Sequence, residues 1–519
     1  MNHFFTLTRF LSPQHKWFYF VIAILSLCIS INASLRNAVV NPDGICYLSA
    51  AEVFGQSGLK AAMQLCGQAK WPFYSMLIYG FAQVTSLSYA SAAYVLNAVF
   101  ALCSIWLFIS IVVELAKKNP TINLQRIAWL AALTLLCWHE FNNVREYIVR
   151  DHGFWAFYLL SLWCLLRYFS NAHWLSAVGW SGSLLVATLF RIEGAIFLVL
   201  LPCILLLKSA DRSISRWKSF FLLNAPFIFA AGLLSAWLLL HPQRTWEELG
   251  RLPELFQHVQ HAITNIATRY QTATTILAQQ VLSQFSAHQA GLLWLMMLPI
   301  WYLFNVIQNL SWIYAGLIIY ACWQRSRALV GNDRWILVSY LFINVLITLV
   351  FFLENLFLSK RYLVALSLIL LLQVPFALHT LINQWSQLRY RLALFFVAGA
   401  ILFSALAGWL QWGYSKAYIA DAGQWLATQV PAHANLYAND YQLMYYSQHF
   451  GGATLFKKVR EYSDVRALSD EKWRHYDYLA VRINKKEANV WTAVLQDIPL
   501  VPVQVFSNER GDKVVIYKR

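Results

Sequence analysis

Val39-Val40-Asn41-Pro42-Asp43-Gly44-Ile45-Cys46-Tyr47-Leu48-Ser49-Ala50-Ala51-Glu52 follows the first apolar run of the chain, residues 17–35, and decides how the rest is read. About 20 apolar residues in a row span a bilayer, so this stretch leaves the membrane on the side away from the N-terminus. Asn-Pro-Asp-Gly is turn chemistry: Pro42 fixes φ, Gly44 tolerates φ > 0, and Asp43 is held between them. After it, Tyr47, Leu48, Ala51 and Phe54 fall at helical spacing, which predicts a short helix lying along the membrane surface. A carboxylate at that level meets both water and lipid headgroups. Asp43 is therefore the first candidate for a catalytic base; the competing reading makes it a turn residue or a helix cap.

Composition fixes the class. Of 519 residues, 59% are hydrophobic and only 12% charged, with a mean hydropathy of +0.49. Soluble domains carry roughly 25% charged residues, so the chain reads as an α-helical polytopic membrane protein. Its formal charge of +16 would suit a nucleic-acid partner. The cations, however, gather in short loops between apolar runs, where positive charge sets membrane orientation. Membrane lipids are the expected neighbours, and nucleic acid is not. Cys28, Cys103, Cys137, Cys164, Cys203 and Cys322 lie in apolar runs as small hydrophobes. Cys46 and Cys66 share the first external loop and are either a disulfide, if that side is oxidising, or two thiols. No Cys/His spacing resembles a structural zinc site. Residues 1–9 are polar and mildly basic, and no cleavage-site pattern follows, which reads as an uncleaved first span.

Spans are expected near 17–35, 91–115, 124–141, 153–169, 174–190, 192–208, 219–240, 303–323, 335–355, 361–384 and 391–412, about eleven in all. With the N-terminus in the cytoplasm, every inner loop is basic: Arg9/Lys16, Lys117/Lys118/Arg126, Arg167, Lys208/Arg212/Arg216/Lys218, Arg325/Arg327/Arg334 and Arg389/Arg391. The apolar stretches 71–90 and 289–304 would invert that pattern if they crossed. They are read as helices in the outer interface or as partial insertions, Trp71–Ser88 being the first; if both cross, the total is thirteen. The multispanning domain covers residues 1–413, with external loops 36–90 and 139–152, an amphipathic loop 241–288 and a turn at Glu354–Tyr362.

At about Tyr414 the composition changes to that of a soluble α/β domain, residues 414–519. Helices are expected over Asp421–Gln429, Asp440–His449 and Lys486–Leu495, and strands over Asn435–Ala438 and Tyr476–Ile483. A hairpin pairs Val501–Val505 with Lys513–Tyr517 across Asn508–Asp512. No Gly-rich phosphate loop follows a strand.

Two further groups of residues stand beside Asp43. Asn142-Asn143-Val144-Arg145-Glu146-Tyr147-Ile148-Val149-Arg150-Asp151-His152 packs two Arg, one Glu, one Asp and one His between two spans. Ionisable groups at a bilayer mark sites more often than they decorate loops. Lys70, Arg191 with Glu193, and Lys360-Arg361-Tyr362 place cations at outer span ends, where the positive-inside rule predicts none. An anionic substrate would explain them, because Arg and Lys bind phosphate through charge-assisted hydrogen bonds. Snorkelling anchors are the alternative, better suited to Lys360 than to Arg191.

In this order the parts resemble the GT-C glycosyltransferases, the multispanning enzymes that use polyprenyl- or dolichyl-phosphate sugars, and most closely their protein O-mannosyltransferase and aminoarabinose (lipid A) transferase branches. Asp43 stands where the family has its proposed base. Lys70-Trp71-Pro72-Phe73-Tyr74 is similar to the family's Lys-Pro-Pro-Leu-Tyr, with Trp71 in place of one proline. Arg150-Asp151 resembles the second acidic site, with His152 beside it, and Lys360-Arg361-Tyr362-Leu363 the Arg-Tyr-Leu that opens a late span. Where the family often has Asp-Glu, Gly44 follows Asp43.

The resemblance implies inverting transfer of a sugar from a polyprenyl-phosphate donor to a glycan, lipid or protein acceptor. Asp43 and Asp151 would be catalytic. Lys70, Tyr74, Arg150, His152, Arg191, Glu193, Lys360, Arg361 and Tyr362 would bind substrate. Some branches use a divalent metal, for which His139, His152 and nearby acids are the candidate ligands, without diagnostic spacing. The short loops and compact tail place the chain in a bacterial inner membrane with a periplasmic C-terminal domain. A transporter or flippase of a lipid-linked or anionic solute is the runner-up. Such proteins usually carry internal repeats and midplane charges, whereas here the acids gather at the outer ends.

Overall fold

A computed structural model describes residues 13–36, 38–206, 216–241, 252–324, 332–410, 412–462, 468, 471–496 and 498–519. Arg9, Lys208, Arg212, Arg325 and Arg327, and residues 242–251 of the amphipathic loop, lie outside them. The N-terminal helices are α1 (Pro13–Arg36), α2 (Pro42–Leu65), α3 (Phe73–Thr85), α4 (Tyr89–Ala116), α5 (Leu124–Leu136), α6 (His139–Asn143), α7 (Asp151–Asn171), α8 (Trp174–Phe190), α9 (Gly194–Leu206), α10 (Arg216–Leu240) and α11 (Leu252–Ile276). Then follow α12 (Ala290–Leu310), α13 (Trp312–Trp323), α14 (Asn332–Asn355), α15 (Val364–Leu371), α16 (Val374–Asn383) and α17 (Leu388–Trp409). Among the described residues six helices are long and apolar enough to cross a membrane, and a seventh if the bent pair over residues 360–383 counts as one span. The chain is thus a polytopic helical membrane protein. Several other expected spans coincide with shorter apolar helices of 10–17 residues.

The helix ends depart from the sequence expectation at several places, two of which move a span boundary. The span expected over 124–141 stops as a helix at Leu136, and a separate short helix begins at His139. Its 13 residues reach ~20 Å, short of the ~30 Å of a hydrocarbon core. The second place is Ser311, whose positive φ of 71° ends α12 and starts α13. The stretch 289–304, expected to lie in the interface apart from a span at 303–323, is instead the body of a continuous 21-residue helix. Asn305, Gln308, Asn309 and Ser311 lie at the break, but they are too few to lower the hydropathy of the run, which put the boundary in the wrong place.

The chain forms two compact units. One comprises Met1–Ser30, Ala98–Val144 and Arg150–Leu410. Its helices are joined by polar side chains that satisfy one another in an apolar interior, as membrane bundles require. The Tyr340 hydroxyl of α14 receives Trp180 Nε1 of α8 at 3.0 Å and pairs with Ser161 Oγ of α7 at 2.9 Å. One turn on, Asn344 Nδ2 donates to the Tyr158 hydroxyl at 2.6 Å. Asn309, near the end of α12, is a second junction. Its carbonyl accepts from Trp138 Nε1, its amide nitrogen donates to Lys360 O at 2.7 Å, and its amide oxygen accepts from Ser367 Oγ. The Lys360–Leu363 turn is therefore fixed in place by a buried amide. The amphipathic helix α11 is fastened to α14 by His258 Nδ1, 2.9 Å from Glu354 Oε2.

The other unit gathers Ile31–Asn97, Arg145–Val149 and Gln411–Arg519. Its tail contains α18 (Ala417–Gln429), β1 (Leu436–Ala438), α19 (Tyr441–Ser447), α20 (Gly452–Tyr462), β2 (Tyr478–Ile483), α21 (Ala488–Gln496), β3 (Pro502–Ser507) and β4 (Lys513–Lys518). Every expected tail element is present within a few residues, and α20 is added. The sheet has the order β1-β2-β4-β3, with β1 and β2 parallel and the other pairs antiparallel. Asn439 clamps the ends of the parallel strands together: its amide donates to Arg482 O at 3.0 Å and accepts from Arg482 N at 2.7 Å. The tail does not stand alone. Val40 N donates to the Tyr446 hydroxyl at 2.9 Å, and Gln442 Nε2 donates to Val40 O at 2.8 Å. The segment that follows α1 and the tail thus share one core.

Candidate functional site

Asn41-Pro42-Asp43-Gly44 is not a turn but the start of α2. Asn41 caps it with extended backbone and Pro42 occupies the first helical turn, where its missing N–H is not needed. Turn and helix start use the same residue types, which is why the sequence suggested the first. Gly44 is helical, and its smallness serves packing. A Cβ there would meet Asn41 Oδ1 at 2.8 Å, Val40 Cγ1 at 2.9 Å and Ile148 Cβ at 3.0 Å. The Asn41 side chain holds Ile148 by both backbone groups, accepting from its N–H at 2.9 Å and donating to its carbonyl at 3.3 Å. The helix is not short either: it runs 24 residues with a break at Gly58, where φ is 80°.

Asp43 therefore sits in the first turn of a helix, where the unsatisfied N–H groups favour a negative charge. It is half-buried and accepts from Gln68 Nε2 at 2.7 Å. A disulfide between Cys46 and Cys66, whose Cα atoms are 6.2 Å apart, joins the segment carrying Gln68 to the start of α2. The disulfide alternative of the sequence reading is thus the one observed. Lys70 ends the following single turn and is exposed. Tyr74 is fully buried, its hydroxyl donating to Asn97 Oδ1 at 2.8 Å and its ring edge-on to Tyr47.

In the other unit the sequence-predicted residues converge. Arg191 lies between α8 and α9 and is bound on both sides by carboxylates. It pairs with Asp151 through Nη1 and with Glu193 through Nη2 and Nε, the last at 3.1 Å. Asp151 opens α7, with Arg150 as the preceding residue. The Arg191 guanidinium rests on the Tyr362 ring, 4.7 Å from its centre, and Arg361 approaches the same ring at 5.3 Å. Burial would raise the Asp151 carboxyl, but the charges of Arg191, Arg361 and Arg150 outweigh it and hold it below the usual carboxylate range. Three guanidiniums against two carboxylates leave one positive charge in excess, in a setting that screens charges weakly.

Beside this cluster is a residue that the sequence reading missed. Glu140 is 4% exposed and accepts from Lys360 Nζ at 2.6 Å and pairs with His139 Nε2 at 3.1 Å. It was hidden at the end of an expected span. An acid there, next to a histidine, was the signal that could have singled it out. The stretch 142–152 is no solvated loop: Asn142, Arg145, Arg150, Asp151 and His152 are all buried. His152 belongs to the core, with Nε2 3.2 Å from Val144 O and its ring edge-on to Trp155.

A divalent metal finds little to hold it. Among the described residues no group of three His, Cys, Asp or Glu side chains is placed to bind one. His152 Nε2 faces a backbone carbonyl, and the Glu140 carboxylate next to His139 already carries the Lys360 ammonium. The candidate ligands do not fit a metal, and no step below uses one.

No family model and no curated protein sequence matches the chain. Solved structures do. The fold is similar to that of ArnT from Cupriavidus metallidurans bound to undecaprenyl phosphate, with a TM-score of 0.53 and 14% identity over 96% of this chain and 98% of that one. It is also similar to the Archaeoglobus fulgidus oligosaccharyltransferase in complex with zinc and sulfate (TM-score 0.51, 10% identity, 91% of this chain and 69% of that one). The apo form of the same enzyme gives a TM-score of 0.50 at 11% identity over 92% and 71% of the chains. The likeness is one of fold: the chain is similar to these membrane proteins over more than nine-tenths of its length.

Proposed function

We propose that the protein is a glycosyltransferase that moves a sugar from a polyprenyl-phosphate donor to an acceptor on the extracytoplasmic face, with inversion at the anomeric carbon. The observation that carries this reading is Arg191. It is a guanidinium locked between Asp151 and Glu193, with Arg150 and Arg361 adding charge, in a fold shared with a protein solved with undecaprenyl phosphate. Fixed cations aimed at a leaving phosphate stabilise the charge that develops on it without having to reorganise. Arg191, Arg361, Lys360 and Lys70 are assigned to the donor phosphate, with Tyr362 and Glu193 holding Arg191 in orientation.

The reaction needs little else. The acceptor oxygen attacks the anomeric carbon, and the bond from that carbon to the phosphate oxygen breaks with its electron pair going to the phosphate. The acceptor proton passes to the Asp43 carboxylate. Gln68, by donating to one carboxylate oxygen of Asp43, orients the base. The Cys46–Cys66 disulfide supports placing the first external loop in an oxidising compartment, such as a bacterial periplasm, with the N-terminus in the cytoplasm.

The test is transfer of radiolabel from a panel of polyprenyl-phosphate sugars by the purified protein in proteoliposomes. General-base removal lowers rates by about 10²–10⁴-fold. Asp43→Asn is therefore expected to lose nearly all transfer while still binding polyprenyl phosphate. Label that changes leaflet without forming a new glycosidic bond would make the protein a flippase and return Asp43 to a purely structural place.

A further inference from the structure

The C-terminal domain contains a pocket that the transfer chemistry above does not use. It measures about 280 Å³ and is lined by Asp440, Arg482, Asn484, Glu487, Val490 and Trp491 together with the Asn439 clamp. It lies past the carboxyl ends of β1 and β2, the two parallel strands, between the helices that follow them. The carboxyl ends of parallel strands, where loops lead out to the following helices, are where α/β sheets commonly bind ligands.

The side chains are held for recognition. Arg482 is fixed on three sides: Nη1 donates to Asp440 Oδ2 at 2.5 Å and to Gln442 Oε1 at 3.3 Å, and Nε to the Tyr418 hydroxyl at 3.4 Å. Its Nη2 donates to no protein group among the described residues. Asp440 is fixed in turn by accepting from the backbone of Gln442 and Leu443. Asn484 Nδ2 meets Glu487 Oε2 at 3.2 Å. Trp491 is 5% exposed, yet its indole N–H also donates to no protein group among the described residues. The pocket thus offers carboxylate acceptors, guanidinium, amide and indole donors, and an apolar wall of Val490 and Trp491.

That mixture selects among ligands. Asp440, Arg482 and Glu487 sum to one negative charge, which opposes a phosphate or another anion. A volume near the lower end of the ~300–1,000 Å³ typical of small-molecule sites excludes a dinucleotide or a long peptide. A sugar ring fits the remaining requirement, since each hydroxyl both donates and accepts and the ring's C–H face packs on an apolar wall. We propose that this pocket binds one unit of a neutral, hydroxyl-rich glycan, and that the acceptor is therefore a saccharide. Only the word acceptor rests on the transferase reading; the binding does not.

The experiment uses the full-length protein in lipid nanodiscs, titrated with chitotetraose, maltotetraose and α-mannotetraose and followed by saturation-transfer NMR. Two variants are compared with the wild type: Asn484→Ala, and Val490→Arg at a side chain 56% exposed, where a longer residue fills the pocket without disturbing the core. The expected result is binding of at least one oligosaccharide, weakened about tenfold or more in both variants, with undecaprenyl-phosphate binding unchanged. Absence of binding by all three at millimolar concentration overturns the proposal. So does equal binding by wild type and variants, or displacement of the oligosaccharide by inorganic phosphate or by a basic peptide. Saccharide binding that depends on Asn484 and Val490 in a protein that transfers no sugar would keep this site while refuting the transferase reading. Transfer without such binding would do the reverse.

Discussion

Replacing Arg191 by methionine would remove a charge from between two carboxylates while keeping much of the side chain's length. The Asp151 and Glu193 side chains are 5% and 22% exposed and Arg191 is 13% exposed, so water can replace little of what is lost. Breaking a buried ion pair by deleting one partner costs about 3–5 kcal/mol. Arg150 and Arg361 still act on Asp151, which puts the expected loss at the lower end, about 3 kcal/mol. The decisive comparison is the double variant. If Asp151→Asn is made in the Arg191→Met background, one of the stranded charges is gone. The combined loss should then fall short of the sum of the single losses by about 1–3 kcal/mol. SDS-titration unfolding of the full-length protein in mixed micelles measures all three variants against the wild type. Strict additivity, or a loss below about 1 kcal/mol for Arg191→Met, would refute the picture of a locked guanidinium. Arg191 would then be an interfacial anchor.

Acid provides an independent handle on the same pair. Because the Asp151 carboxyl is held below its ordinary value, its contribution is fully present above the unfolded value of about 4 and is lost as pH falls through the lower folded one. Unfolding measured between pH 7 and pH 3 should show this loss in the wild type and less of it in Asp151→Asn. Replacing both Cys46 and Cys66 by serine opens a loop of 20-residue separation, and chain entropy alone predicts a loss of about 3.3 kcal/mol. Reduction of the wild type should lower its unfolding midpoint to that of the variant. Gly44→Ala forces a methyl against three close atoms and should destabilise the protein by about 1–3 kcal/mol, read by the same titration.

The sequence carried much of this architecture, and unevenly. Helices over 174–190 or 391–412 are legible because long, mostly apolar runs, 17 and 22 residues as helices, have few other uses. The tail's elements are legible because turn residues bracket each of them. Reasoning about which span ends face out named Asp151, Arg191 and Arg361 one by one, and that Asp151 pairs with Arg191 beside Arg361 emerges only from the structure. What stayed hidden had no local mark. Asn-Pro-Asp-Gly fits a turn and a helix start equally well, and only the packing of Gly44 on Ile148 distinguishes them. Ser311 breaks a helix inside a stretch whose few polar residues, Asn305, Gln308 and Asn309, do not by themselves mark a helix end. Tyr74 reads as a binding residue from its motif, while its hydroxyl is committed to Asn97. The saccharide-sized pocket depends on β1 and β2 being parallel neighbours, and no periodicity reveals which strands pair.

The bonds between Val40 and the pair Gln442 and Tyr446 join residues 402 and 406 positions apart. During synthesis at ~5–20 residues per second, the segment that carries Asp43 leaves the ribosome tens of seconds before its partners exist. Throughout that interval the N–H and carbonyl of Val40 must find other company, in water or on a chaperone. Asp43 is thus among the first of these side chains made and among the last to be set in its final surroundings. A nascent chain lacks the finished surroundings of this carboxylate until its tail has folded onto the segment around Val40.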